Sequence, residues 1–239
     1  MHGDVTPSHV RFVGRPHRLR WLLPAYRRTM GRLVNTLFHM DLMSYTDNFA
    51  HTRWMGQPLW QNVLDLWTIQ ETIAELRPTL IVETGTYQGG SAVFYAQLLE
   101  LTGAEGRVLT VDVLDDHQFE HPGVTFLTGS SVSEEILAQV REAAEEATGP
   151  VLVILDSDHA QGHVAAELEA YAPFVSPGSL MLVQDGCIDT LPSSRRLRPG
   201  PLPAIREFLP RHPEFELDAE RVRRFPITHH PMGWLRRRA

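Results

Sequence analysis

The sequence predicts an α/β protein, a doubly wound, mostly parallel sheet covered by helices on both faces and preceded by a helical extension. The first observation is a set of short apolar runs, "TLIVET" (79–84), "RVLTVD" (107–112), "VTFLT" (124–128), "VLVILD" (151–156) and "SLMLVQ" (179–184). They are too uniformly apolar for strands with one wet face and fit strands buried on both. The second is their separation, for the most part, by helical patterns, at 90–102, 132–147 and 161–174. Strands alternating with helices are the signature of parallel crossover units. A chain of 239 residues, 43% hydrophobic, suits one core plus an extension, and the division is expected at residues 1–55 and 56–239.

The extension comes first. Residues 1–40 carry seven arginines against one acid, Asp4, and Met30, Leu33, Val34, Leu37 and Phe38 fall at helical spacing after Pro24. An amphipathic helix packed on the main domain or on a second subunit is expected, and a homo-oligomer with it; contact with a membrane surface or an acidic partner is the rival reading. From 57 to 77, Leu59, Val63, Leu66, Ile69, Ile73 and Leu76 form a helical stripe that Pro78 ends.

The first apolar run leads into "VETGTYQGGSA" (82–92), which sets Glu83 and glycines at 85, 89 and 90 at a strand–helix junction. Glycine tolerates positive φ and lets another molecule approach the backbone, so the cluster reads either as a ligand cradle at a helix start or as a tight turn. Asp112 ends the next strand, where a carboxylate can accept two ribose hydroxyls, which points to an adenosine-type cofactor. The acid at 83 disfavours a pyrophosphate. It favours a cationic cofactor such as S-adenosylmethionine, whose carboxylate can meet helix amides near Ser91. After the third strand, "TGSSV" offers Ser130 and Ser131, as an adenine contact or as a helix N-cap supported by Glu134 or Glu135.

After the fourth strand, "VILDSDHAQGH" gathers Asp156, Asp158, His159 and His163. Asp156 with Gln184 and Asp185, which follow the fifth strand, can supply oxygen ligands to a hard cation such as Mg²⁺. His159 and His163 have the spacing of two ligands on one helix, but position 160 is not glutamate, so this is no zinc-protease motif. His163 by itself reads as a packed or capping histidine. In open sheets of this kind ligands bind beyond the carboxyl ends of the strands. Four such ends carry acids here, and a functional site is expected on that rim.

Composition narrows the partners. A net charge of −7 disfavours a nucleic-acid binder and favours a small-molecule partner. Cys187 is the only cysteine, so neither an intrachain disulfide nor a cysteine zinc cluster is available, which fits a reducing compartment. With no long apolar run and no signal-peptide core, a soluble cytoplasmic protein is expected. All 22 basic residues are arginine, so no lysine performs acid–base chemistry.

Taken together, "RWMGQPLWQNVLDLWTIQE", "IVETGTYQGGSAVFYAQLLE", "VLTVDV", "LDSDHAQGHVAAELEAYAPFVSPGS" and "HPMGWLRR" resemble the family named for cephalosporin hydroxylase, which also holds rhamnosyl and other sugar O-methyltransferases. The resemblance runs from about Arg53 to the C-terminus. It implies a Rossmann-like class I methyltransferase with a seven-stranded sheet. Glu83, Gly85, Tyr87, Gly89 and Ser91 would hold the methionine part of S-adenosylmethionine, Asp112 the ribose, and Ser130 or Ser131 the adenine edge. Asp156, Gln184 and Asp185 fall at the positions of magnesium ligands, Asp156 also borders the cofactor, and His159 stands where catechol O-methyltransferases carry a lysine base. Relatives commonly show two acids, or an acid and asparagine, where this chain has Gln184-Asp185, so one anionic ligand is missing.

The expected activity is methyl transfer to a hydroxyl of a sugar or hydroxylated secondary metabolite, with Mg²⁺ lowering the hydroxyl's pKa and His159 removing the proton. The loop "DTLPSSRRLRPGPLP" (189–203) is read as an acceptor wall or lid, or as an exposed linker. Two other classes compete: an adenine-dinucleotide oxidoreductase or hydroxylase component, and a non-catalytic protein that keeps the fold. Binding of S-adenosylmethionine without NADH separates the first, and methyl transfer to any acceptor excludes the second.

Overall fold

The computed structural model describes residues 30–42 and 49–239. The arginine-rich part of the extension before Met30 lies outside the described residues. The helix at its end is α1 (Met30–Met40), and a hairpin follows, β1 (Arg53–Trp54) paired antiparallel with β2 (Gln57–Pro58). That hairpin straddles the division expected at 55/56. Helix α2 (Val63–Leu76) starts later than its apolar stripe suggests, because Asn62 caps it by accepting from the Leu64 amide. Residues 57–62 are instead an extended crossing.

The alternation through β7 is as expected: β3 (Leu80–Thr84), α3 (Gly90–Thr102), β4 (Arg107–Asp112), β5 (Val124–Thr128), α4 (Glu134–Glu146), β6 (Val151–Leu155), α5 (Gln161–Tyr171) and β7 (Leu180–Val183); beyond it the structure adds α6 (Pro201–Phe208), β8 (Phe215–Leu217), α7 (Ala219–Val222) and β9 (Trp234–Arg237). One seven-stranded sheet has the order β5-β4-β3-β6-β7-β9-β8. Strands β3 to β7 are parallel, and β9 runs antiparallel to both neighbours.

Strand β6 shows why the runs are continuously apolar. Val151, Val153 and Leu155 pack towards α4, α5 and α6 in one core, while Leu152 and Ile154 pack with Ile69, Ile73, Phe94 and Leu99 of α2 and α3 in the other. Each residue of β6 is buried, and each buried aliphatic side chain contributes about 1.5–3 kcal/mol of hydrophobic stabilisation. Strand order reverses between β3 and β6, so the crevice of the switch point opens beyond Thr84 and Leu155. Among the described residues no helix is long and apolar enough to cross a membrane.

Candidate active site

A cavity of about 580 Å³ lies at that switch point, and Gly85, Tyr87, Ser91, Asp112, Ser131, Asp156, His159 and Asp185 line it. Four other expected residues do not. Glu83 is fully buried beneath it, Gly89 and Ser130 lie outside its wall, and Gln184 is 1% exposed.

The glycines have a reason internal to the chain. A Cβ on Gly85 would stand 2.0 Å from the Asp156 carbonyl oxygen, and one on Gly90 would stand 2.0 Å from that of Pro58. Gly85 and Gly89 also have φ of +88° and +87°, the left-handed region that glycine enters without strain. The cluster therefore brings three chain segments within touching distance, as a tight turn does, and leaves α3 with no side-chain cap on its amides. Those free amides face the cavity beside Ser91 and suit an anionic group.

Asp112 organises one side of the cavity. Its Oδ2 accepts from the Tyr87 amide at 2.8 Å and its Oδ1 from the Leu114 amide at 3.1 Å. Tyr87 is thereby held at φ +45°, an uncommon conformation for a non-glycine residue. Below it, Glu83 Oε2 accepts from Thr110 at 2.7 Å, whereas Oε1 has no well-formed partner. Burial, with a smaller push from Asp112, raises the Glu83 carboxyl to about 7 against the hydrogen bonds of Ser91 and Thr110.

The serines behave differently from the expectation. Ser133, not Ser130 or Ser131, caps α4, accepting from the Ile136 amide. Ser131 points its Oγ at His163 Nε2, 3.2 Å away, and Ser157 Oγ lies 3.1 Å from the same nitrogen. Glu167 completes this hub at 3.4 Å, which ties His163 down on the cavity wall. It also sits inside α5, whereas His159 precedes that helix, so the two do not form a ligand pair on one helix.

The acids converge on the opposite side. One donor atom from each of Asp156, His159 and Asp185 lies within 4.8 Å of the others. His159 Nε2 is 3.3 Å from Asp185 Oδ2, and His229 Nδ1 is 3.6 Å from Asp185 Oδ1. Burial, Asp185 and Glu83 raise the Asp156 carboxyl, partly offset by Gln61, which donates to its Oδ2 at 2.9 Å. Asp185 goes the other way: burial alone would raise it, but His229 and His159 hold it below the usual carboxylate range. The pair gives up one proton readily and the other reluctantly, the electrostatic situation that a bound cation relieves. Gln184 lies against the Tyr95 hydroxyl with neither amide atom properly hydrogen bonded among the described residues. The structure thus brings together two carboxylates and an imidazole, and sets the amide beneath them.

Several contributors are absent from the sequence reading. Gln61 clasps Asp156 from 95 positions away. Buried Asp65 accepts from the Thr228 hydroxyl and the His229 amide, which fixes His229 beside Asp185. Phe49 and Trp60 also line the cavity. The residues of 189–203 do not line it; the Asp189 carboxylate ties that loop down by accepting from the Gly200 and Leu202 amides.

Comparison with known proteins places this architecture. The family model described as Rhamnosyl O-methyltransferase/CmcI matches residues 46–238. A rhamnosyl O-methyltransferase of Mycobacterium tuberculosis is 38% identical over 192 residues, 78% of each chain. Its counterpart in Mycobacterium leprae is 33% identical over 200 residues, 81% of this chain and 87% of the other. A solved structure of CmcI with Mg and SAM has a TM-score of 0.64 at 21% identity, covering 80% of this chain and 78% of that one, a likeness of fold. The chain belongs to the rhamnosyl O-methyltransferase/CmcI family.

Proposed function

We propose that this protein transfers a methyl group from S-adenosylmethionine to a hydroxyl of a sugar, or of a hydroxylated secondary metabolite, with the help of a divalent cation such as Mg²⁺. The observation that carries the reading is the convergence of Asp156, His159 and Asp185 beside a cavity whose other wall is the Gly85–Ser91 turn and Asp112. When bound, the cofactor supplies an activated methyl group, and the cation supplies charge that lowers the pKa of the acceptor hydroxyl.

The residues present fit both groups. Glu83, with one carboxylate oxygen lacking a well-formed partner under the turn, suits an ammonium; the uncapped α3 amides suit a carboxylate; Asp112 suits a ribose. Asp156 and Asp185 supply anionic oxygens for the cation, and Gln184 has an amide oxygen below them. His159 Nε2 faces Asp185 at 3.3 Å, so Asp185 orients the ring and stabilises the imidazolium, and the hydroxyl proton is received at the other ring nitrogen, Nδ1. Gln61 holds the Asp156 carboxylate in one rotamer by its hydrogen bond. Titration calorimetry tests the binding half directly: S-adenosylmethionine should bind with NADH inert, and a reversed preference would favour the oxidoreductase.

A further inference from the structure

The cavity carries an arc of rings in which Trp60 and Phe49 take no part in the chemistry above. Trp60 and Tyr87 lie with ring centroids 4.9 Å apart, Trp60 and Phe49 6.3 Å apart, and Phe49 and His229 5.4 Å apart. The arc runs from the cofactor turn to the histidine beside Asp185. Trp60 is 49% and Tyr87 45% exposed, although both line the cavity. Trp60 is held there by its neighbours: Leu59 is buried, the Pro58 carbonyl rests on Gly90, and Gln61 is clasped to Asp156. The flanking side chains are fixed in the protein while the indole projects. Tyr87 is presented likewise, on a turn that Asp112 holds at positive φ.

Paired aromatic side chains left open within a cavity are platforms for a ring that a ligand brings. The two rings are tilted by 38° and so form a shallow cup rather than a flat shelf. The same cavity is also lined by Ser157, Asp158 and His159, side chains that hydrogen-bond. A ligand that matches has one apolar face and a rim of hydroxyls, which describes a pyranose ring: its polarised C–H groups meet the electron-rich faces of the rings and its hydroxyls meet the polar groups.

We propose that Trp60, with Tyr87 and Phe49, is the platform on which the acceptor's sugar ring lies, and that Trp60 determines acceptor specificity. The proposal rests on the methyltransferase reading and adds to it the residues that select the acceptor. Trp60 makes no contribution to the reacting atoms; it contributes binding that is equal in the ground and transition states, which lowers KM without raising kcat.

The test uses the full chain with methyl α-L-rhamnopyranoside, followed by saturation-transfer NMR, with S-adenosylmethionine affinity measured in parallel by calorimetry. Trp60→Ala should weaken the glycoside by about tenfold or more. Cofactor affinity should stay within about twofold, which also certifies the fold, and Trp60→Phe should recover most of the loss. In turnover the deficit should appear in acceptor KM. Glycoside binding unchanged in Trp60→Ala, or absent from the parent protein, overturns the platform, and so does an equal loss of cofactor affinity. Binding that depends on Trp60 without methyl transfer upholds the platform and overturns the methyltransferase reading instead.

Discussion

The imidazole of His159 meets the carboxylate of Asp185 at 3.3 Å, although the two residues follow different strands, β6 and β7. The base and orienting acid of the proposed function would thus be assembled by the sheet rather than by a local motif. A positioned general base contributes about 10² to 10⁴ in rate. His159→Ala should lower kcat by at least about a hundredfold and leave cofactor affinity within a few fold. Parallel losses in binding and rate would assign His159 a structural role.

Asp112 accepts from two backbone amides on one side of the cavity. Replacing it with alanine removes a charged acceptor for the ribose and also frees the Tyr87 turn. S-adenosylmethionine binding should weaken by roughly 1.5 to 3 kcal/mol in titration calorimetry, the range for hydrogen bonds to a charged group. Unchanged affinity would place the ribose elsewhere.

Chelation of divalent ions should abolish turnover, and added Mg²⁺ should restore it, while cofactor binding survives. On the proposed function the Asp156–Asp185 pair would carry the anionic charge for that ion, since Gln184 supplies none. Full activity in the chelator would make Gln184 the mark of a metal-free variant.

Glu83 gives a pH signature in the cofactor-free protein. Burial raises its carboxyl from 4.5 to about 7, so between those values the folded state keeps a proton that the unfolded state has released. Stability contributed by the neutral acid is complete below 4.5 and is lost as pH rises through 7. Against Glu83→Gln, the parent should match best near pH 5 and fall behind towards pH 8, by up to about 3 kcal/mol. Chemical denaturation across this range measures the gap, and a constant gap would contradict a buried, protonated Glu83.

The parallel sheet was legible because its strands are buried on both faces, and burial on both faces writes itself as unbroken apolar runs. The rim acids were legible for a related reason: Asp112 and Asp156 close such runs, and Asp185 comes one position later, after Gln184. Strands β8 and β9 were not read from the pattern, since "FEL" is three residues long and "WLRR" is half arginine. Trp60 was absorbed into a helical stripe that begins only at Val63. Gln61, Asp65 and His229 were hidden because their roles arise from contacts 95 to 164 positions apart, which no local spacing encodes.

On the proposed function this rim moves a methyl group onto a sugar hydroxyl. Mass spectrometry of the purified protein incubated with S-adenosylmethionine, Mg²⁺ and a rhamnoside, alongside Asp156→Ala, tests it most directly. The expected result is a rhamnoside carrying one added methyl group, formed by the parent protein and absent with the variant. Cofactor binding without a methylated product from rhamnosides or other hydroxylated acceptors, or equal product from Asp156→Ala, would contradict it.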